Sequence, residues 1–366
     1  MLKNLTYFLR DNGACGYYRC ELPLETLGHK TGIAVRKIEK GDNAEEIERC
    51  LDADIVVIPR VNDVNMLKVI EHLKKAKTRV IVDFDDNVFH VSPFSPHYRQ
   101  WGTENVKCDV PGQGLVTLWE DGKNIDLKKN IEVLDCAKRG IEMADAVTVT
   151  TEILANEYRQ YGGNVKALPN CIDTNLWQKL PLKRHNDEIR LSWAGGSSHY
   201  EDWVLLQDVL PPLFDKYKNL KLVLLGNKFD GTLKHIPISK IEFHEWVPTP
   251  AYSYKMAIAD ADIALIPLRE TEFKKCISPI KWIEYSSLEV PAVVSYVDPY
   301  RQVATLDNGV WIEDNDPTGW VSGISMLVED KTLRENIASN ARMKVLSDFD
   351  INTKWNLWDN FYKELL

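Results

Sequence analysis

Two consecutive Rossmann-like α/β units, each built on a parallel sheet, are the fold that the sequence predicts. Three observations carry this. Short apolar runs alternate with amphipathic stretches along the chain. The alternation is interrupted at KLPLKRHNDE, residues 179–188, and then restarts. A length of 366 residues exceeds what one compact domain needs and suits two.

In the first unit, residues 5–9 read as a strand and 20–27 as a helix. Residues 55–59 (IVVIP) and 79–83 (RVIVD) are strands apolar enough to be buried on both faces, with a helix over 64–76 between them. Residues 125–143 have helical spacing, 146–150 (AVTVT) form a strand, and a helix over 151–161 has Thr151 as its cap. Residues 165–168 close the set. After the linker come strands at 189–193, 221–225, 241–243, 263–267, 292–295 and 310–312. Helices are expected at 200–217, 252–259, 280–287, 317–327 and 333–346. The expected domains are therefore 1–175, a linker 176–188, and 189–346. A terminal segment 347–366, with a helix at 355–365, is free to pack back on the first domain. An insertion at about 98–124, rich in Gly and Pro with Trp101 and Trp119, reads as a loop or small hairpin. Folds of this kind bind ligands at the carboxyl ends of their strands, and two units facing each other would place the site in the cleft between them.

Composition narrows the class. The net charge of −9 argues against a broad nucleic-acid footprint. Seven cysteines, an odd number with no CxxC pair, fit free thiols in a reducing compartment. The start MLKNLTYFLRDNG lacks the apolar core of a signal peptide, and no run reaches about 18 apolar residues. A cytoplasmic protein without a transmembrane segment is expected.

Four stretches carry chemistry. Gly13 and Gly16, beside Tyr17, follow the first strand and would let a ligand approach a helix start; a plain tight turn fits equally. Gly195, Gly196, Ser197 and Ser198 open the second unit between a strand and a helix, a good cradle for a diphosphate, or else a helix start capped by Ser198. No Walker lysine follows, and no GxGxxG occurs, so an NTPase and a dinucleotide oxidoreductase are both disfavoured. Lys281 and Glu284 lie three apart near a helix start after Ser278-Pro279. The cation suits phosphate and the carboxylate a ribose diol, although a surface ion pair would look the same. Asp83, Asp85 and Asp86 end a strand, where they would accept hydroxyls, cap a turn or hold a metal. His90 and His97 lie just beyond. Trp101 and Trp119 suit stacking on a flat acceptor ring, or a flap packed on its own domain.

The order of these pieces resembles retaining GT-B glycosyltransferases of family 4, the glycogen-synthase and sucrose-synthase relatives. The matching stretches are 144–158, 165–177 (with PNCID where that family has PNGID), 189–203 and 278–295, and the likeness extends over nearly all of 140–345. The resemblance implies a GT-B fold and transfer of a sugar from a nucleoside-diphosphate sugar, UDP or GDP foremost, to an acceptor hydroxyl. It implies retention of configuration and no obligatory metal or cofactor. Glu284 would bind the ribose, while Lys281 and the turn 195–198 would hold the diphosphate. Groups of Lys275, Cys276, Ile277 and Ser278 would meet the sugar, and Gly13, Gly16 and Tyr17 would approach from the other side. The leaving phosphate would itself take the acceptor proton; should a protein base exist, Asp86, His90 and His97 are the candidates. Asp83, Asp85, Asp86, Trp101 and Trp119 would face the acceptor, which could be a glycan, a lipid-linked sugar, a small molecule or a modified nucleobase.

Two positions depart from the family pattern. Cys276 stands where the first of two glutamates is usual, and Val290, preceded by Glu289, stands where a glycine precedes Pro291. The first departure keeps two other readings in view. One is a nucleotide-sugar epimerase, which would turn over donor without acceptor. The other is a binding protein, which would hold donor without releasing diphosphate.

Overall fold

The structure is a computed structural model describing residues 2–39, 44–110, 114–182 and 187–366. The chain forms two compact units. The first contains the residues up to Asn170 together with Cys276–Ser278 and Trp355–Leu366; the second contains Cys171–Lys275 and Pro279–Lys354. Residues 183–186 of the expected linker, and Pro111 and Gly112 of the expected insertion, lie outside the described residues.

The first unit is built on β1 (Asn4–Leu9), β2 (Ala34–Glu39), β3 (Ile55–Pro59) and β4 (Arg79–Phe84), a separate pair β5 (Val106–Val110) and β6 (Gly114–Trp119), then β7 (Ala146–Val149) and β8 (Val165–Ala167). Six strands form one parallel sheet in the order β2-β1-β3-β4-β7-β8. The apolar runs dictate this. Every residue of β3 and β7 is buried, and the core joins Val56, Ile58, Val80, Val82 and Phe84 to the inner faces of the flanking helices. Helix Val64–Lys75 begins where Asp63 accepts from the amide of Met66, and helix Leu127–Met143 where Asp126 accepts from that of Lys129. Thr151 caps helix Glu152–Arg159 through the amide of Leu154, as its position in the sequence indicates.

Two local expectations are corrected, and a third, the loop or small hairpin of the insertion, is narrowed to one of its alternatives. Strand β2 escapes a search for apolar runs because it is an edge strand carrying Arg36, Lys37 and Glu39, with Ile38 alone buried. The expected helix over 20–27 is the middle of a longer helical stretch. It starts at Ala14, passes through a π-helical turn at Tyr17–Glu21, and ends at Thr31 before Gly32, whose φ is +76°. The insertion is an antiparallel hairpin of β5 and β6.

The second unit carries β9 (Ile189–Gly195), β10 (Leu220–Gly226), β11 (Ile241–Glu245), β12 (Ile263–Ile266), β13 (Ala292–Ser295) and β14 (Val310–Ile312). All are parallel, in the order β11-β10-β9-β12-β13-β14. Its core gathers Trp193, Trp203 and Trp320 with Leu191, Leu222, Leu224 and Ile324. The single helix expected over 200–217 is broken into Tyr200–Trp203, a 3-10 turn and Leu210–Lys216. Pro211 and Pro212 cannot donate to a preceding turn. In both sheets the chain reverses its winding direction once, between β1 and β3 and between β9 and β12. Crevices at the carboxyl ends of doubly wound sheets open at such points.

Candidate active site

In the second unit, β9 and β12 deliver the groups. The chain leaves β9 at Gly195 and turns through Gly196 into Ser197–His199 and the short helix Tyr200–Trp203. A Cβ on Gly195 would lie 2.7 Å from the Trp193 ring and 3.1 Å from Lys281 Nζ, so glycine alone lets the ammonium lie against the strand end. Gly226, ending β10 at φ +94°, likewise allows close approach; its Cβ would lie 2.7 Å from the Gly195 carbonyl oxygen. Gly196 and Ser197 are exposed and Ser198 is half-buried. Ser198 does not cap the turn, since Gly196 occupies that position and no side chain bonds the free amides.

Lys281 sits in the first turn of helix Ile280–Ser287, which starts after Pro279 with no side-chain cap. Its Nζ stands 5.4 Å from the centroid of the Trp193 ring. Among the described residues it forms no ion pair within 4.0 Å. Burial brings its pKa down to about 8; attraction by Asp202 and Glu284 opposes this, and Lys274 adds to it. Glu284, one turn on, is 4% exposed. Its neighbour is Tyr252 of helix Thr249–Ala259. Burial first, then Glu284, hold that phenol well above its usual range, and its hydroxyl hydrogen-bonds the carboxylate. Tyr285 ties the same helix to β9 through a 2.9 Å bond to Ser192 Oγ.

Behind the turn lies a buried ionic hub. Asp202 is fully buried. Its Oδ1 accepts from Lys274 Nζ at 2.6 Å and the Arg269 amide at 2.8 Å, and its Oδ2 is 3.1 Å from His199 Nδ1. Lys274 also pairs with Glu201. Burial opposes ionisation of Asp202, but the bonds from His199 and Lys274 hold its carboxyl below the ordinary value. Burial and then Lys281 push His199 down to about 4, outweighing Asp202, so the imidazole is neutral at pH 7.

The carboxyl end of the first sheet gathers a second cluster. Arg60, at φ +47° just past β3, donates Nε to Asp85 Oδ1 at 2.6 Å and pairs through Nη2 with Asp85 Oδ2. Asp86 is 3.9 Å from the same guanidinium. Burial tends to raise both carboxyls, but Arg60 prevails on Asp85 and brings it low, whereas Asp86 is raised by burial and by the Asp85 charge. His97, beside this cluster, is lowered by burial and by Arg60. His90 is exposed, with Nδ1 3.4 Å from Asn87 Oδ1.

Several expected site residues are placed differently. Asp83 is 2% exposed and fully engaged: Arg19 grips both oxygens at 3.0 and 2.7 Å, and Thr148 Oγ1 donates at 2.6 Å. It holds Arg19 rather than facing an acceptor. Trp101 belongs to the core, and Trp119 gives its indole N–H to the Pro93 carbonyl at 2.6 Å while packing on Tyr98. The amides of Gly13 and Gly16 are taken by Asp11 Oδ1 at 2.9 and 3.1 Å, so an anion approaching them meets a carboxylate first. Gly16 is required by packing instead, since its Cβ would fall 2.1 Å from the Asp11 carbonyl oxygen. Tyr17 is half-buried against Tyr18. Cys276 is buried in the first unit; its carbonyl accepts from Thr151 Oγ1 at 3.0 Å, and its Sγ lies 3.7 Å from Asn87 Nδ2. Lys275 pairs with Glu272 at the surface, Ile277 is half-buried, and Ser278 Oγ is buried without a partner among the described residues. The left-handed residue before Pro291 is Glu289, at φ +56°, rather than Val290. Among the described residues no group of three His, Cys, Asp or Glu side chains is placed to hold a metal, and no helix is long and apolar enough to cross a membrane.

Sequence reasoning passed over His199, Asp202, Lys274, Tyr252 and Arg60. His199 and Asp202, three apart at a helix start, were a usable signal. Lys274 looked like its half-buried neighbour Lys275, and nothing local distinguishes them.

Comparisons with known proteins fit this geometry. No curated protein sequence matches. Residues 182–330 match the family model described as glycosyl transferases group 1. Solved structures align over nearly the whole chain at low identity. The HepE protein of Anabaena with UDP-glucose bound is 13% identical, with 99% of each chain covered and a TM-score of 0.66. Sucrose-phosphate synthase of Thermosynechococcus elongatus is 13% identical, with 99% of each chain covered and a TM-score of 0.65. A glycosyltransferase of Rickettsia africae is 10% identical, covering 100% of this chain and 98% of its own, with a TM-score of 0.67. Gly195, Lys281 and Glu284 therefore lie inside the region that matches the glycosyl transferases group 1 model, in a chain with the two-sheet fold of GT-B glycosyltransferases.

Proposed function

We propose that the protein is a retaining glycosyltransferase of family 4 that transfers a sugar from a nucleoside-diphosphate sugar to an acceptor hydroxyl in the cytoplasm, without an obligatory metal. The observation that carries this is Lys281, a cation without an ion-pair partner among the described residues, set against the end of β9 at the winding reversal of the sheet. Lys281, the uncapped start of its helix and the turn 195–198 hold the diphosphate and stabilise the negative charge that grows on it as the glycosidic bond breaks. Glu284 accepts the ribose hydroxyls through its carboxylate oxygens. UDP is the favoured base because the HepE neighbour binds UDP-glucose. In the first unit, Asp86 and His97 serve the acceptor, with His90 and Trp119 at its edge, while Asp85 fixes Arg60. The leaving phosphate accepts the proton of the attacking hydroxyl, and Asp86, whose carboxyl is raised by burial and by Asp85, is the first unit's candidate for a protein base.

The test is release of UDP or GDP from UDP-glucose, UDP-N-acetylglucosamine and GDP-mannose, with and without a mixture of sugar acceptors and with EDTA present. Acceptor-dependent release that Glu284→Ala abolishes supports the reading. Interconversion of the sugar without any release indicates an epimerase, and binding without turnover indicates a binding protein; either result removes the transferase assignment.

A further inference from the structure

We propose that His199 reads a hydroxyl of the donor's sugar, accepting its hydrogen at Nε2. This rests on the donor reading above and adds a specificity residue to it. The argument begins at Asp202. That carboxylate is buried and fixed from two sides, by Lys274 Nζ at 2.6 Å and the Arg269 amide at 2.8 Å. An ionised carboxylate only accepts hydrogen bonds, so the imidazole nitrogen 3.1 Å away, Nδ1, must hold the proton.

Burial and the nearby Lys281 keep the ring neutral, which leaves Nε2 with a lone pair. A quarter of the side chain is exposed, and Nε2 has no partner among the described residues. A lone pair is the wrong complement for a phosphate oxygen, which also accepts. It is the right complement for a hydroxyl. The ribose diol is assigned to Glu284, so the hydroxyl left for His199 is one on the sugar. A site built to bond a hydroxyl discriminates strongly against ligands that lack it.

Calorimetric titration of UDP and of UDP-glucose into the full chain, His199→Ala and His199→Gln tests this. His199→Ala is expected to leave the UDP affinity within about twofold and to weaken UDP-glucose about tenfold, the worth of one hydrogen bond. His199→Gln, whose amide can still donate to Asp202 and accept from a hydroxyl, is expected to keep UDP-glucose within about threefold of the parent. The same comparison runs with GDP and GDP-mannose if the parent prefers that base. Equal weakening of both ligands in His199→Ala, or no change in either, overturns the assignment while the donor reading stands. Failure of the parent protein to bind either nucleoside diphosphate removes the donor reading, and this inference with it.

Discussion

Replacing Lys281 by methionine should stabilise the empty protein while abolishing its response to nucleotide. The ammonium titrates at about 8 in the folded state against an ordinary 10.5. At neutral pH it is charged in both the folded and unfolded chains, so the folded state carries the whole penalty, about 3 kcal/mol. Methionine keeps the stem packed against Trp193 and removes the charge. Loss of the cation–π contact returns about 0.5–1 kcal/mol. The net gain is about 2 kcal/mol, which raises the transition of the second unit by about 4–8 °C. The sign with pH follows. Between about 8 and 10.5 the unfolded chain holds a proton that the folded one has lost, so parent stability rises across that interval and the advantage of methionine disappears. Thermal unfolding at pH 7 and pH 10, with and without UDP, reads all of this. A Lys281→Met protein less stable than the parent at pH 7, or one still stabilised by UDP, would refute the reasoning.

Four further outcomes are expected. Arg19→Ala should destabilise the first unit by about 3–5 kcal/mol by leaving buried Asp83 unpaired, with the UDP affinity of the remaining folded protein unchanged; denaturant unfolding and titration check both parts. Glu289→Gly should gain about 0.5–1 kcal/mol, because glycine adopts φ +56° without the side-chain penalty; equilibrium unfolding measures it. If Asp86 assists proton transfer, kcat/KM should rise with pH as its raised carboxyl ionises, and Asp86→Asn should flatten that limb. Folding stability should move oppositely, falling as pH rises from the ordinary carboxyl value of 3.8 through the raised one, and the asparagine variant should lose that dependence too. EDTA should leave turnover within about twofold, as an initial-rate assay will show.

The sequence was most legible where burial on both faces produces unbroken apolar runs. β3, β4, β7, β9 and β10 announce themselves in this way, and their order restarts at the linker. Helix starts were legible where a short polar side chain caps them, as Thr151 does. Edge strands were not: β2 buries one residue and otherwise looks like loop. Nor did the sequence reveal what the acidic run at 83–86 does, because its roles depend on partners far along the chain. Asp83 is claimed by Arg19 and Asp85 by Arg60, which leaves Asp86. Lys281 and Glu284 were visible as a pair three apart, but the close seating of Lys281 against the strand end was not, since it depends on a glycine almost ninety positions earlier. The hub of Asp202 and Lys274 was equally hidden, being a contact between residues 72 apart.

The most direct test of the central claim is calorimetric titration of UDP and GDP into the full chain, in EDTA, alongside Glu284→Ala. The account predicts one-to-one binding of one nucleoside diphosphate by the parent, unaffected by EDTA, and its loss in the variant. Binding of neither nucleotide, or undiminished binding by Glu284→Ala, would contradict it.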